Sequence, residues 1–120
     1  MLGGARILVV EDEALTALDI ADEIQAAGGR VVGPFASVAL TLAALERAEV
    51  AAAILDANLI DRDVTPVAIV LIARHVPVAI HSGTGLPEEL RRLFPDLPVI
   101  LEPTASCDLI RTLEMQIRPQ

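Results

Sequence analysis

Short aliphatic runs alternate along this chain with longer stretches whose apolar residues return every three or four positions. The runs fall at Arg6 to Val10, Val31 to Gly33, Ala51 to Leu55, Val76 to His81 and Pro98 to Leu101. Runs of this length, rich in Val and Ile, read as strands buried on both faces. Between them the helical period dominates. Ala14 to Ala27 predicts a helix with Ala17, Leu18, Ala21 and Ile24 on one face and Thr16, Asp19 and Glu23 outward. Gly28-Gly29 closes it, as glycine commonly does at a helix C-terminus. Ser37 reads as the N-cap of a second helix carrying Val38, Leu42 and Leu45. Pro34 is expected to stop the strand before it.

Pro66, preset for a first helical turn, opens a third helix to about Arg74, after a polar loop from Asn58 to Asp63. Pro87 starts a short fourth helix with Leu90, Leu93 and Phe94. Thr104 or Ser106 caps a last one, which buries Leu109, Leu113 and Ile117. Five βα units with short loops predict an α/β fold, a five-stranded parallel sheet with helices on both faces, occupying residues 1–120 as a single domain.

The polar residues that follow the strands change the picture from architecture to chemistry. Glu11-Asp12-Glu13 follows the first strand, Asp56 the third, Ser82 the fourth and Glu102 the fifth. In an open parallel sheet, ligands bind outside the carboxyl ends of the strands, so these residues surface at one rim. An unpaired carboxylate ending an apolar strand is costly, and a cation relieves it. Several carboxylates plus a hydroxyl suit a hard metal ion and a phosphoryl group. Plainer readings stand beside this one. The acidic triplet can be the favoured negative start of a helix, Asp56 a loop turn residue, and Ser82 a turn hydroxyl. His81 should point away from Ser82 and reads as a satisfied core or edge histidine. Asp61 and Asp63 read as solvated loop charges, and His75 as a cation favoured at a helix C-terminus.

Composition then narrows the partners. The 120 residues carry a net charge of −8, which argues against nucleic acid or an anionic membrane as a direct partner. No run approaches the roughly 18 apolar residues of a membrane span, and the N-terminus lacks the pattern of a signal peptide. A single cysteine, Cys107, fits a reducing, cytoplasmic setting and reads as a small helix residue. All nine basic residues are arginine, so the chain contains no lysine.

ILVVEDE (7 to 13), ILDANL (54 to 59), Ser82-Gly83 and Glu102-Pro103 together resemble the response-regulator receiver domains of bacterial two-component signalling, over nearly the whole length. The stretch from Asp56 to Gly85 also resembles stand-alone receivers of alphaproteobacteria. The resemblance implies the flavodoxin-like strand order 2-1-3-4-5. It implies Asp56 as phosphoacceptor from a histidine kinase or phosphotransfer protein, and Mg²⁺ as cofactor. The ligands it implies are Glu11 (through a water), Asp12, Asp56 and the Asn58 carbonyl, with Ser82 donating to a phosphoryl oxygen. It further implies a phosphoprotein that modifies itself from a donor rather than an enzyme. A downstream protein partner is expected, and a homodimer is compatible with it.

One position departs from that pattern. Receivers carry a lysine before the proline that follows the fifth strand, and here it is Glu102. Losing one preorganised donor to a developing anion costs about 3–4 kcal/mol in catalytic settings. Val99 and Thr104 stand where aromatic residues are common in the family, so switching is expected to be atypical. Two readings follow: a phosphoacceptor acting as shuttle or sink, and a receiver-like interaction module that works without phosphorylation. A phosphatase of the haloacid-dehalogenase type also uses an aspartate and Mg²⁺, but it needs a second aspartate where Asn58 stands, and a lysine.

Overall fold

The computed structural model describes residues 2–82, 85–97, 99–101, 110, 111, 114 and 115, the backbone alone being described for 99–101. The strands are β1 (Arg6–Val10), β2 (Arg30–Phe35), β3 (Ala52–Asp56), β4 (Val78–Ser82) and β5 (Val99–Leu101). The helices are α1 (Ala14–Ala26), α2 (Val38–Leu45), α3 (Thr65–Ala73) and α4 (Glu88–Leu93). The order across the sheet is β2-β1-β3-β4-β5, and every neighbouring pair is parallel. This is a flavodoxin-like arrangement. The last helix expected from the sequence, with its cap at Thr104 or Ser106, lies outside the described residues except for 110, 111, 114 and 115.

Strand alternation divides the core in two. Leu8, Val10, Ala53, Leu55, Val78 and Ile80 pack with residues of α2, α3 and α4. Ile7, Val9, Ala52, Ile54 and Ala79 face the other way, onto Ile20 and Ile24 of α1 and onto Ile110. Both faces of β1, β3 and β4 are therefore dry, which is why these strands read as unbroken apolar runs. Each fully buried Leu or Ile side chain contributes about 1.5–3 kcal/mol relative to exposure.

Several expectations need correction. Leu18 is 55% exposed, whereas Ile20 is 1% exposed and fills the buried stripe with Ala17 and Ile24. The apolar spacing of α1 admits either face, and only packing on β1 and β2 selects Ile20. Pro34 does not stop β2, which continues to Phe35. At the sheet edge a proline removes no ladder bond that a neighbour needs. Its pairing with β1 shifts register between Leu8 and Val10, and the Gly33–Pro34 peptide is cis. Gly33 has φ +107°, and a Cβ there would meet the Val9 carbonyl oxygen at 2.8 Å, so glycine lets the edge strand approach this closely. β4 begins at Val78, leaving Val76 and Pro77 outside the strand.

The helix boundaries near the rim have local causes. The Ser37 hydroxyl accepts the Leu40 N–H at 3.1 Å, capping α2. Asp61 is exposed, as expected, and Asp63 partly buried, but both also serve as caps. Asp61 accepts the N–H groups of Val38 and Ala39 at 2.9 and 3.1 Å, and Asp63 accepts that of Thr65 at 2.9 Å. The polar β3–α3 loop is thus tied twice, to its own helix through Asp63 and to α2 through Asp61. At the far end of α3, Arg74 reaches the Leu45 carbonyl at 3.0 Å, and His75 takes φ +61° to leave the helix.

Candidate functional site

Parity along the strands places the polar residues before any contact is measured. Ile7 and Val9 face α1, so Glu11, two residues on, continues that face. Ala52 and Ile54 bring Asp56 to the same face, and Ala79 brings His81. Asp56 and His81 are register partners across β3 and β4. Glu11, Asp56 and His81 therefore form one row across three strands, on the α1 side. Ser82 falls on the opposite face, with Ile80, and is 3% exposed at the end of β4.

One carboxylate oxygen from each of Glu11, Asp12 and Asp56 lies within 4.8 Å of the others. Octahedral Mg²⁺ holds its oxygens at about 2.0–2.1 Å, which separates them by roughly 3–4 Å, so this donor set fits the ion with little movement. The three differ in setting. Asp12 is exposed, Asp56 is half-buried and Glu11 is only 5% exposed. Glu11 Oε2 accepts the Glu13 N–H at 3.0 Å, while its Oε1 lies 3.2 Å from His81 Nε2, also buried. Asn58 follows Asp56 by two residues, is exposed, and donates its N–H to Asp56 Oδ1 at 3.4 Å.

The electrostatics are those of a site short of positive charge. Burial pushes the Glu11 carboxyl up to about 8, with the neighbouring Asp56 adding to the shift. Burial also raises Asp56, partly offset by the hydrogen bond shared with Glu11, by the Asn58 amide and by His81. Two carboxylates driven toward their neutral forms in one pocket mark a place where a cation would be strongly held.

Of the residues singled out in the sequence, the structure brings Glu11, Asp12, Asp56 and Asn58 to one rim and sets Ser82 on the neighbouring strand. Glu102 lies outside the described residues. The sequence reading missed the engagement of His81 with Glu11. Alternation showed that His81 leaves Ser82, but pairing it with Glu11 needs the register of β4 on β3, which a single strand does not encode.

No family model matches the sequence, and no curated protein matches it. Solved structures do. SdrG from Sphingomonas melonis Fr1 is 32% identical, with a TM-score of 0.80 over 98% of this chain and 100% of that one. A response regulator receiver protein from Sinorhizobium medicae WSM419 is 25% identical, with a TM-score of 0.82 over 98% and 97%. The chain belongs to the response-regulator receiver domains. A third such structure, the receiver domain of the sensor histidine kinase PA1611 from Pseudomonas aeruginosa PAO1, is 24% identical, with a TM-score of 0.79 over 95% and 98%. That receiver has a magnesium ion coordinated in its active-site cleft. As a receiver domain, this chain is a component of two-component phosphoryl signalling in the general sense. Among the described residues no helix is long and apolar enough to cross a membrane.

Proposed function

We propose that this receiver accepts a phosphoryl group on Asp56 from a histidine kinase or phosphotransfer protein, with Mg²⁺ as cofactor. The observation that carries the reading is the convergence of Glu11, Asp12 and Asp56 on a half-buried rim. Asp12, Asp56 and the Asn58 carbonyl would hold the ion, with Glu11 acting through a water. Mg²⁺ when bound neutralises the acidic cluster and the charge on the transferring group. An Asp56 carboxylate oxygen attacks phosphorus and forms an acyl phosphate. The phosphorus–nitrogen bond of the donor phosphohistidine breaks, and its imidazole leaves with the electron pair and is protonated. Ser82, one strand over, donates its hydroxyl to a phosphoryl oxygen.

Glu102 stands where the family places a lysine, and no lysine exists elsewhere in the chain. Phosphorylation is therefore slower or shorter-lived than in a lysine-bearing receiver, and switching is atypical. The same substitution supports a second reading, an interaction module that docks on a protein partner without phosphorylation. Intact-mass measurement after acetyl phosphate and Mg²⁺ separates the two. One labile phosphoryl adduct, absent in Asp56→Asn, is expected. An adduct that persists in Asp56→Asn would displace Asp56 from this role, and no adduct at all would leave the docking reading.

A further inference from the structure

We infer that His81 is a positioning residue of the cation site, holding the Glu11 carboxylate in the orientation that serves Mg²⁺; the inference rests on the reading of that rim as a Mg²⁺ site. Glu11 is the least accessible carboxylate of the cluster, and both its oxygens face protein groups rather than solvent. Oε2 takes the Glu13 amide at 3.0 Å, and Oε1 faces His81 Nε2 at 3.2 Å. The first contact is local, two residues along the chain, and any residue at position 13 except proline would supply it. The second crosses from the end of β1 past Asp56 to β4, so it depends on the identity of residue 81.

His81 is itself 2% exposed and its position is set by sheet pairing. It is in register with Asp56 on one side and with Ile100 on the other, and its carbonyl accepts the Ala57 N–H at 3.2 Å. A ring anchored on an interior strand is a stiffer support than a loop side chain. An apolar residue of the same size would satisfy packing on the α1 face as well as histidine does. It would leave Glu11 Oε1 buried with no polar group beside it in place of the imidazole 3.2 Å away, a cost that favours rotation of the carboxylate out of the site. Partners that orient a ligand in this way typically change metal affinity by about 10–100-fold when removed. His81 continues the α1 face of β4, opposite Ser82, and its main route to the reaction is cation binding.

The test is direct Mg²⁺ titration of the protein without phosphodonor, followed by amide resonances, on wild type, His81→Ala and His81→Gln. The Gln side-chain amide can reach toward Glu11 as Nε2 does. Expected are a Mg²⁺ dissociation constant raised about tenfold or more in His81→Ala and a value within about threefold of wild type in His81→Gln. Acetyl-phosphate labelling adds a second readout. The His81→Ala rate should match wild type at saturating Mg²⁺ and fall behind only at low Mg²⁺. Wild-type affinity in His81→Ala, or a loss in His81→Gln as large as in the alanine variant, overturns the positioning role while the site stands. A wild-type protein that binds no Mg²⁺ removes the site and the inference together. Should the alanine variant not fold, His81→Leu and His81→Gln compared with each other carry the same test, and equal Mg²⁺ affinities there overturn it.

Discussion

The Asp61 carboxylate accepts the backbone N–H of Val38 at 2.9 Å, joining the β3–α3 loop to the first turn of α2 across 23 positions of sequence. Its second oxygen takes the Ala39 N–H at 3.1 Å, so two donors left open at the start of α2 are closed by a residue from another loop. The amides of Val38 and Ala39 hold Asp61 below the ordinary carboxylate range. The loop so fastened is the one that carries Asn58. Ser37→Ala removes the local cap and should cost about 1 kcal/mol. Asp61→Ala should also lower the melting temperature, and it should shift amide resonances both at 38–39 and along 57–64. Shifts confined to residues next to position 61 would show that the tether is not formed in solution.

The pH dependence has two limbs of opposite sign. Glu11 is raised from 4.5 to about 8 by burial, and Asp56 is raised as well. A carboxyl group whose folded pKa is raised holds its proton more tightly folded than unfolded. Its stabilising contribution is complete below the ordinary value and disappears as pH climbs through the folded value. Asp63 works the other way. The Thr65 hydroxyl and amide hold it below 3.8, so its contribution is present above that value and is lost as pH falls through its lowered pKa. Metal-free protein should therefore lose melting temperature between about pH 5 and about pH 8.5, and saturating Mg²⁺ should abolish most of that loss. A metal-free melting temperature that rises over this interval would contradict the burial of Glu11.

Mg²⁺ should stabilise the fold through Asp12. Binding to the folded state alone adds about 2.7 kcal/mol at a concentration one hundred times the dissociation constant. Thermal melts of Asp12→Ala should show a much smaller rise with added Mg²⁺. Equal responses in the two proteins would place the ion elsewhere.

Glu102→Lys tests the departure from the family pattern. A lysine there should speed or prolong modification of Asp56 by at least about tenfold, since one well-placed donor to a developing anion is worth that much or more. It should also weaken Mg²⁺ binding, because a fixed ammonium competes with the ion for Asp56. Acetyl-phosphate labelling and Mg²⁺ titration read the two effects separately. No change in either would make Glu102 a spectator.

The two faces of α1 give a stability contrast. Ile20→Ala empties a fully buried position and should cost about 2–5 kcal/mol. Leu18→Ala should stay within about 0.5 kcal/mol. Chemical denaturation of both variants checks the assignment, and a large loss from Leu18→Ala would mean that α1 packs on its other face.

The order of strands and helices was legible in the chain alone, because strands dry on both sides must be continuous apolar runs and the helices between them must keep one apolar stripe. So was the meeting of Glu11, Asp12 and Asp56, since every parallel strand delivers its last residue to the same rim. The local capping signal at Ser37 and the turn chemistry at Pro66 were legible for the same reason: they act within a few residues. Contacts between distant segments settled what remained. Ile20 replaces Leu18 in the core because the stripe on α1 admits two rotations and only the sheet beneath selects one. Asp61 caps α2, and His81 meets Glu11, because both contacts join segments whose distance in space is set by strand register and loop path. A pattern along one strand carries parity but not register, so the faces of these side chains could be read from the chain and their partners could not.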